Sequence, residues 1–196
     1  ELVLDRLLTY RLKLKPSKCR LLQKRVTFLG HVVSEAGIET DPSKVELVRN
    51  WKTPVNLAET RSFLGLCSYY RRFVKDYAEL AAPLTNLQRK GVKFRWTDEC
   101  QRAFDGLKDA LTSSPVLAMP RDEEGVTFIL DTDASDHAIG AVLSMRLPNG
   151  EEHPISYASH VLQPQEINYC ATRGELLAVV TFLKSSDNIC SDNHTF

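Results

Sequence analysis

Phe128-Ile-Leu-Asp-Thr-Asp-Ala-Ser-Asp-His-Ala-Ile-Gly-Ala-Val-Leu-Ser-Met145 is the stretch whose reading decides the fold. An apolar run meets a cluster of carboxylates and resumes as a second apolar run. Phe128, Ile129 and Leu130 read as a buried strand, and Ile139 to Met145 as a second. Side chains alternate across a strand, so Asp131 and Asp133 share one face. Gly140 and Ala141 are too small to crowd whatever lies above them. A buried strand ending in a carboxylate is costly unless the charge is paired, hydrated or metal-bound. Asp131, Asp133 and Asp136 also suit a solvated turn between two antiparallel strands, and the spacing alone does not separate the two readings.

The wording of the stretch separates them. Thr132-Asp-Ala-Ser135, then Asp136 and Gly140-Ala-Val-Leu143, resembles the first strand of the ribonuclease H domain in reverse transcriptases of gypsy-type long-terminal-repeat retrotransposons. The resemblance implies that Asp133 is the first catalytic carboxylate, bridging two divalent ions, Mg2+ or Mn2+. Asp131 falls where the family pattern varies and carries no such role.

Working outward, Leu147-Pro-Asn-Gly150 is a hairpin turn, because Asn-Gly favours the left-handed backbone such turns need. His153 to Ala158 reads as a third strand. Tyr169 to Lys184 reads as a helix with Leu176, Leu177, Val180 and Leu183 inward. Thr172 and Glu175 have capping-box spacing. The same residues, Tyr169-x-x-Thr172-x-x-Glu175-Leu-Leu-Ala178, resemble the family's second catalytic motif, which makes Glu175 a metal ligand brought near Asp133 by packing of the helix on the sheet. Gly174 stands where the family usually has a charged residue. The family's third carboxylate comes from a strand after this helix and a fourth from further on. Ser185 to Phe196 no longer follows the family, so Asp187, Asp192 and His194 take no role.

Upstream, Thr97 caps a helix with Phe104, Leu107 and Leu111 on its buried stripe, and Ser113-Ser-Pro115 ends it. Gly91 to Trp96 is a linker or short strand. Asp41 and Pro42 start another helix as cap and first residue, with Val45, Leu47, Val48 and Trp51 as its apolar stripe. A further helix runs from about Leu57 to Phe73, with Phe63, Leu64, Leu66, Cys67, Tyr70 and Phe73 on one side and Arg61, Arg71, Arg72 and Lys75 mostly on another. A basic helix face alone supports nucleic-acid binding weakly. The string RSFLGLCSYYRRFVKDYAELAAPLTNLQRK, residues 61–90, resembles the thumb of the same enzymes, whose helices follow the template–primer duplex through phosphates. Tyr69 accompanies that face, whereas Tyr70 reads as a packing residue.

The first turns of the chain are amphipathic until Pro16, and a basic segment follows. Lys18 to Gln23 and Val26 to Ser34 read as two short strands, with a turn at Glu35-Ala-Gly37. Gly30 fits a close backbone approach or a bulge. Taken alone, His31 is an ordinary strand histidine. The strings LKLKPSKC, FLGHVVSEAGI and DPSKVE resemble the end of the family's palm, which implies that Phe28, Leu29, Gly30 and His31 form the primer grip.

The chain has 196 residues, formal net charge +0 and 43% hydrophobic content, enough for one large or two small cores. Its five cysteines are scattered and form no Cys-x-x-Cys pair, which argues against a zinc site or a disulfide framework and for a reducing setting. Neither a bilayer-length apolar run nor a signal peptide is present.

The expected organisation is α+β and α/β: palm end in residues 1–40, helical thumb in 41–90, a partial ribonuclease H-like mixed sheet with helix in 91–184, and a divergent tail in 185–196. The boundary falls between Gly91 and Gly125. The resemblance implies a fragment of a Pol polyprotein, with the polymerase aspartates before Glu1. Its partners would be an RNA–DNA hybrid or template–primer duplex and the rest of Pol, with no membrane. Its setting would be intracellular, in cytoplasm or virus-like particles. A domesticated nucleic-acid-binding protein without catalysis, and a structural subunit, are the alternative functions.

Overall fold

In the computed structural model, residues 2–121 and 123–190 are described, with 185–190 as backbone only; the divergent tail thus lies largely outside the described residues. The elements in order are α1 (Leu2–Thr9), β1 (Arg25–Phe28), β2 (His31–Ser34), β3 (Gly37–Thr40), α2 (Pro42–Arg49), α3 (Leu57–Tyr69), α4 (Tyr77–Asn86), α5 (Asp98–Thr112), β4 (Thr127–Ala134), β5 (Ala138–Arg146), β6 (Glu152–Val161) and α6 (Ala171–Cys190). Two antiparallel three-stranded sheets, β1-β2-β3 and β4-β5-β6, flank a cluster made from α2 to α5. No helix among the described residues is long and apolar enough to cross a membrane.

Several expected boundaries move. The first helix stops at Thr9, and Arg11 takes a left-handed φ of 54°, so the amphipathic run does not reach Pro16 as helix. None of its residues is buried, which leaves its apolar stripe without a partner among the described residues. Lys18 to Gln23 is not a strand: Pro16–Lys18 is a 3-10 turn, followed by irregular chain. Val26 to Ser34 is not one strand but a hairpin, with Phe28 opposite His31 and Leu29-Gly30 at its tip. Both tip residues have positive φ, 46° and 71°, the reversal that a two-residue hairpin requires.

The helices follow their capping residues. Asp41 accepts the Ser43 amide at 2.9 Å, and Asn56 accepts the Glu59 amide at 2.9 Å. Glu59 returns a carboxylate to the Val55 amide at 3.0 Å, so two otherwise unpaired donors are satisfied reciprocally. Thr97 caps α5 through the Cys100 amide at 3.3 Å. The long helix expected to reach Phe73 ends at Tyr69, and a 3-10 turn at Arg71–Phe73 follows. That tightening lets Tyr70 and Phe73 both bury, at 2% and 1% exposure. Phe63 and Phe104 meet at 4.6 Å between ring centroids in the middle of the cluster. Each such ring contributes roughly 1.5–3 kcal/mol through burial. Leu47, placed on the stripe of α2, is exposed, and Val48 is the residue that enters the core.

The sheet β4-β5-β6 is covered on both faces. Ile139, Ala141 and Ala158 lie beneath α6 with Ala178 and Phe182. On the other face Ser159 accepts the Ala78 amide at 2.8 Å, which seats α4 on β6. Strand β5 is accordingly buried almost throughout, whereas β4 lies at the sheet edge with Phe128, Ile129 and Leu130 only half-buried. The inward face of α6 is Gly174, Leu177, Ala178 and Phe182. Leu176, Val180 and Leu183, expected inward, are exposed. Apolar residues run nearly all round this helix, so periodicity leaves its orientation open. Gly174 and Ala178 are small enough to let it approach Ala134 and Ala158.

Gly37 ties the first sheet to the segment before β4. Ile38 and Leu117 exchange backbone bonds at 2.7 and 2.9 Å, and the Ala118 amide continues to Pro154 at 2.8 Å. Gly37 has φ of +132°, and a Cβ there would stand 2.2 Å from the Leu117 carbonyl oxygen. Gly37→Ala is expected to lose about 3 kcal/mol or more in urea denaturation, from strain plus displaced strand pairing. Gly91→Ala, at φ +85° with open space around it, should lose only about 1 kcal/mol.

Candidate nucleic-acid interface and carboxylate cleft

The hairpin tip is held from across the structure by two neighbouring tyrosines at the end of α3. The Tyr70 hydroxyl donates to the Gly30 carbonyl at 2.6 Å, and the Tyr69 hydroxyl donates to the Leu29 carbonyl. Tyr69 stacks on His31 with centroids 5.3 Å apart, Tyr70 meets it edge-on at 5.4 Å, and Phe73 stacks at 5.6 Å. What approaches Gly30 is therefore not a backbone but the two tyrosine side chains, within 3.2–3.4 Å of where a Cβ would stand. Tyr70 is buried, and desolvation, with Asp41 and Tyr69 nearby, pushes its hydroxyl up to about 12. Tyr69 is 51% exposed and serves as both latch and surface.

This latch leaves Phe28 and Leu29 projecting, at 62% and 70% exposure. Arg61, Arg71 and Lys75 are exposed on the neighbouring helical segment. Arg72 is not part of that outward face. Its Nη2 donates to the Ile155 carbonyl at 3.4 Å, and its Nε is buried without a partner. The side chain joins the 3-10 turn to β6, and burial lowers its proton affinity. His31 is similarly enclosed: its Nδ1 is buried and unpaired, and desolvation first, then Arg72, push its pKa below 6.5.

Asp133 lies opposite Gly140 in the β4–β5 ladder, in a cleft of about 40 Å³ also lined by Asp76, Glu79, Ser135 and Ser159. It is exposed, so the desolvation cost that singled it out in the sequence does not arise at this edge strand. Asp76, at the N-terminal cap position of α4, reaches over Gly140, where a Cβ would stand 2.6 Å from its Oδ1. The small residue expected at that place is thus required by close approach, whereas Ala141 faces α6. Nothing in the sequence signals the Asp76–Asp133 neighbourhood, because 57 residues separate them.

Glu175 is exposed near the start of α6, where a Cβ on Gly174 would stand 3.5 Å from the Ala134 Cβ. Ala134 and Asp133 point to opposite faces of β4. The helix that carries Glu175 therefore packs on the face of the sheet away from Asp133. The Thr172–Glu175 capping box does not form: the helix begins at Ala171, and Cys170 receives its first amides. Among the described residues no group of three His, Cys, Asp or Glu side chains could hold a metal ion.

The family model for the RNase H-like domain found in reverse transcriptase matches residues 96–196. The chain belongs to that family. The match starts one residue before the cap of α5, a helix that packs here with α2 and α4. The chain is similar to the retrovirus-related Pol polyproteins from transposons 412 and 297 of Drosophila melanogaster, at 41% identity over 170 and 186 residues. These matches cover 87% and 94% of this chain but 14% and 17% of those proteins. The transposon Tf2-3 polyprotein of Schizosaccharomyces pombe is 35% identical over 182 residues, covering 93% of this chain and 14% of that one. Among solved structures, the foamy viral protease-reverse transcriptase in complex with RNA/DNA hybrid superposes with a TM-score of 0.76 at 26% identity, over 90% of this chain and 24% of that one. Its complex with dsDNA gives 0.74 at 27% identity, over 88% and 36%. The ribonuclease H-like fold expected from the sequence is the fold observed.

Two measurements check the latch. Tyr70→Phe removes the partner of the half-buried Gly30 carbonyl and should cost about 1–2 kcal/mol in urea denaturation, against under about 1 kcal/mol for the exposed Tyr69→Phe. A folded-state pKa below the unfolded value means that the unfolded chain takes up the proton first. Stability is therefore full at neutral pH and falls as pH drops below about 6.5. His31→Gln should flatten that acid limb.

Proposed function

We propose that this chain is a segment of a Pol polyprotein that copies RNA into DNA and hydrolyses RNA in the resulting hybrid. Within it, residues 1–40 supply the end of the palm, 41–90 the thumb, and 91–184 the first part of the ribonuclease H-like domain, before a divergent tail at 185–196. The observation that carries the reading is the latch. Tyr69 and Tyr70 fasten the Phe28–His31 tip to the basic end of α3, so grip and duplex-following surface move as one unit. Phe28 and Leu29 offer apolar contact to a strand terminus, with Gly30 and His31 holding the tip's shape, while Arg61, Arg71 and Lys75 meet phosphates. Arg72 supports that surface from behind.

Ribonuclease H-like domains are generally dependent on divalent metal, and Mg2+ or Mn2+ would supply water activation and leaving-group stabilisation. The described residues fit such a site incompletely. Asp133 and Glu175 are the two donors that the motifs imply, and among the described residues no group of three His, Cys, Asp or Glu side chains completes a set. Hydrolysis accordingly falls to the larger polyprotein, and nucleic-acid binding to this chain.

The chain should bind a fluorescent RNA–DNA hybrid without added metal. With three phosphate contacts, affinity should fall about fortyfold between 50 and 200 mM salt. Incubation with Mg2+ or Mn2+ should leave the hybrid intact. Cleavage that disappears in Asp133→Asn would instead place the whole activity in these 196 residues. Absence of binding at 50 mM salt would remove the nucleic-acid reading.

A further inference from the structure

A second basic surface lies where α4 meets the end of β6, away from the hairpin tip. There a cleft of about 400 Å³ opens between the two elements, large enough for a nucleotide-sized group. Its charged lining is all of one sign. Arg71 enters from the 3-10 turn, Arg89 from just after α4, and His160 from β6, with Thr85 and Gln163 as polar neighbours. Both arginines and His160 are exposed, and none is in an ion pair among the described residues. Of the acids next to the lining residues in sequence, Asp76 and Glu79 line the separate cleft that holds Asp133, and Glu166 accepts the Gln163 amide at 2.6 Å. In a chain of zero net charge, a concave site with two unpaired guanidinium groups and no carboxylate in its wall is an anion site.

We propose that this α4–β6 cleft binds the sugar–phosphate backbone of one nucleic-acid strand, with Arg71 and Arg89 as the phosphate ligands and His160 at its β6 wall. The inference rests on the nucleic-acid reading above and extends it. Arg71 belongs to both surfaces, so the cleft continues the path of a strand from the thumb onto the ribonuclease H-like sheet. Arg89 and His160 lie 71 residues apart, and only the seating of α4 on β6 through the Ala78–Ser159 bond puts them on one groove. A phosphate backbone is favoured over an acidic peptide by continuity: Arg71 joins the cleft to the basic thumb surface, and the cleft's two guanidinium groups suit phosphate oxygens, while Ala81, Leu162 and Pro164 make the rest of the wall largely apolar.

The test is fluorescence anisotropy with a labelled RNA–DNA hybrid over 50–200 mM salt, for the full chain and for Arg89→Ala, Arg89→Lys, His160→Ala and Arg102→Ala. Arg89→Ala should weaken binding about fivefold at 50 mM salt and reduce the salt slope by about 0.9, the value of one lost duplex phosphate contact. Arg89→Lys should restore most of that slope. His160→Ala should weaken binding less, and Arg102→Ala, on the exposed side of α5, should match the parent. Equal affinities and slopes for Arg89→Ala and the parent would overturn the cleft while leaving the thumb surface standing. Failure of the parent chain itself to bind would overturn the underlying nucleic-acid reading.

Discussion

Strand β5 is covered from both sides, and much of the rest follows from that. Its even and odd positions must each meet a packed neighbour: Ile139 and Ala141 under α6, Gly140 under Asp76 at the cap of α4. Because the side-chain period of a strand is two, the register that buries Ala141 against the helix also turns Asp133 toward α4. A shift of one residue would exchange the two faces, placing a carboxylate under α6 and Ala134 in the open cleft. Small residues on both faces set how closely the helices approach, and the α4 contact in turn places the 3-10 turn and its arginines against β6.

The aromatic latch is the second organising contact. Two hydroxyl bonds to consecutive carbonyls hold a hairpin tip whose residues both have positive φ, a backbone that a leucine adopts only at a cost. The side chains at that tip face water, so the fold does not hold the tip for its own core. Burial among Tyr69, Tyr70 and Phe73, and then the nearby Arg72, lower the proton affinity of the His31 imidazole. Rigidity there connects sequence to function: the tip and the basic helix end present one surface.

Local chemistry was well read from the residues. Asp41 and Thr97 cap the helices they were expected to cap, and Leu147 to Gly150 turns the hairpin, because each signal acts within four residues. Errors came where the signal was not local. Val26 to Ser34 looked like one strand because Leu29 is apolar, although it occupies a turn. Periodicity leaves the orientation of α6 open because apolar residues surround it, and its face is chosen by which side chains are small enough to meet Ala134 and Ala158. Arg72 was grouped with its exposed neighbours although the tightened turn points it into the structure.

By itself the sequence determined the family, the helix caps at Asp41 and Thr97 and the hairpin turn at Leu147 to Gly150, since motifs and caps are written in consecutive residues. Tertiary structure alone decided which faces those residues occupy. It set Asp133 beside Asp76 rather than beneath α6, tied Tyr69 and Tyr70 to a turn 40 residues earlier, and assembled Arg71, Arg89 and His160 on one groove. Such pairings depend on strand register and helix seating, which are chosen by packing across the whole chain and leave no mark in any single stretch of it.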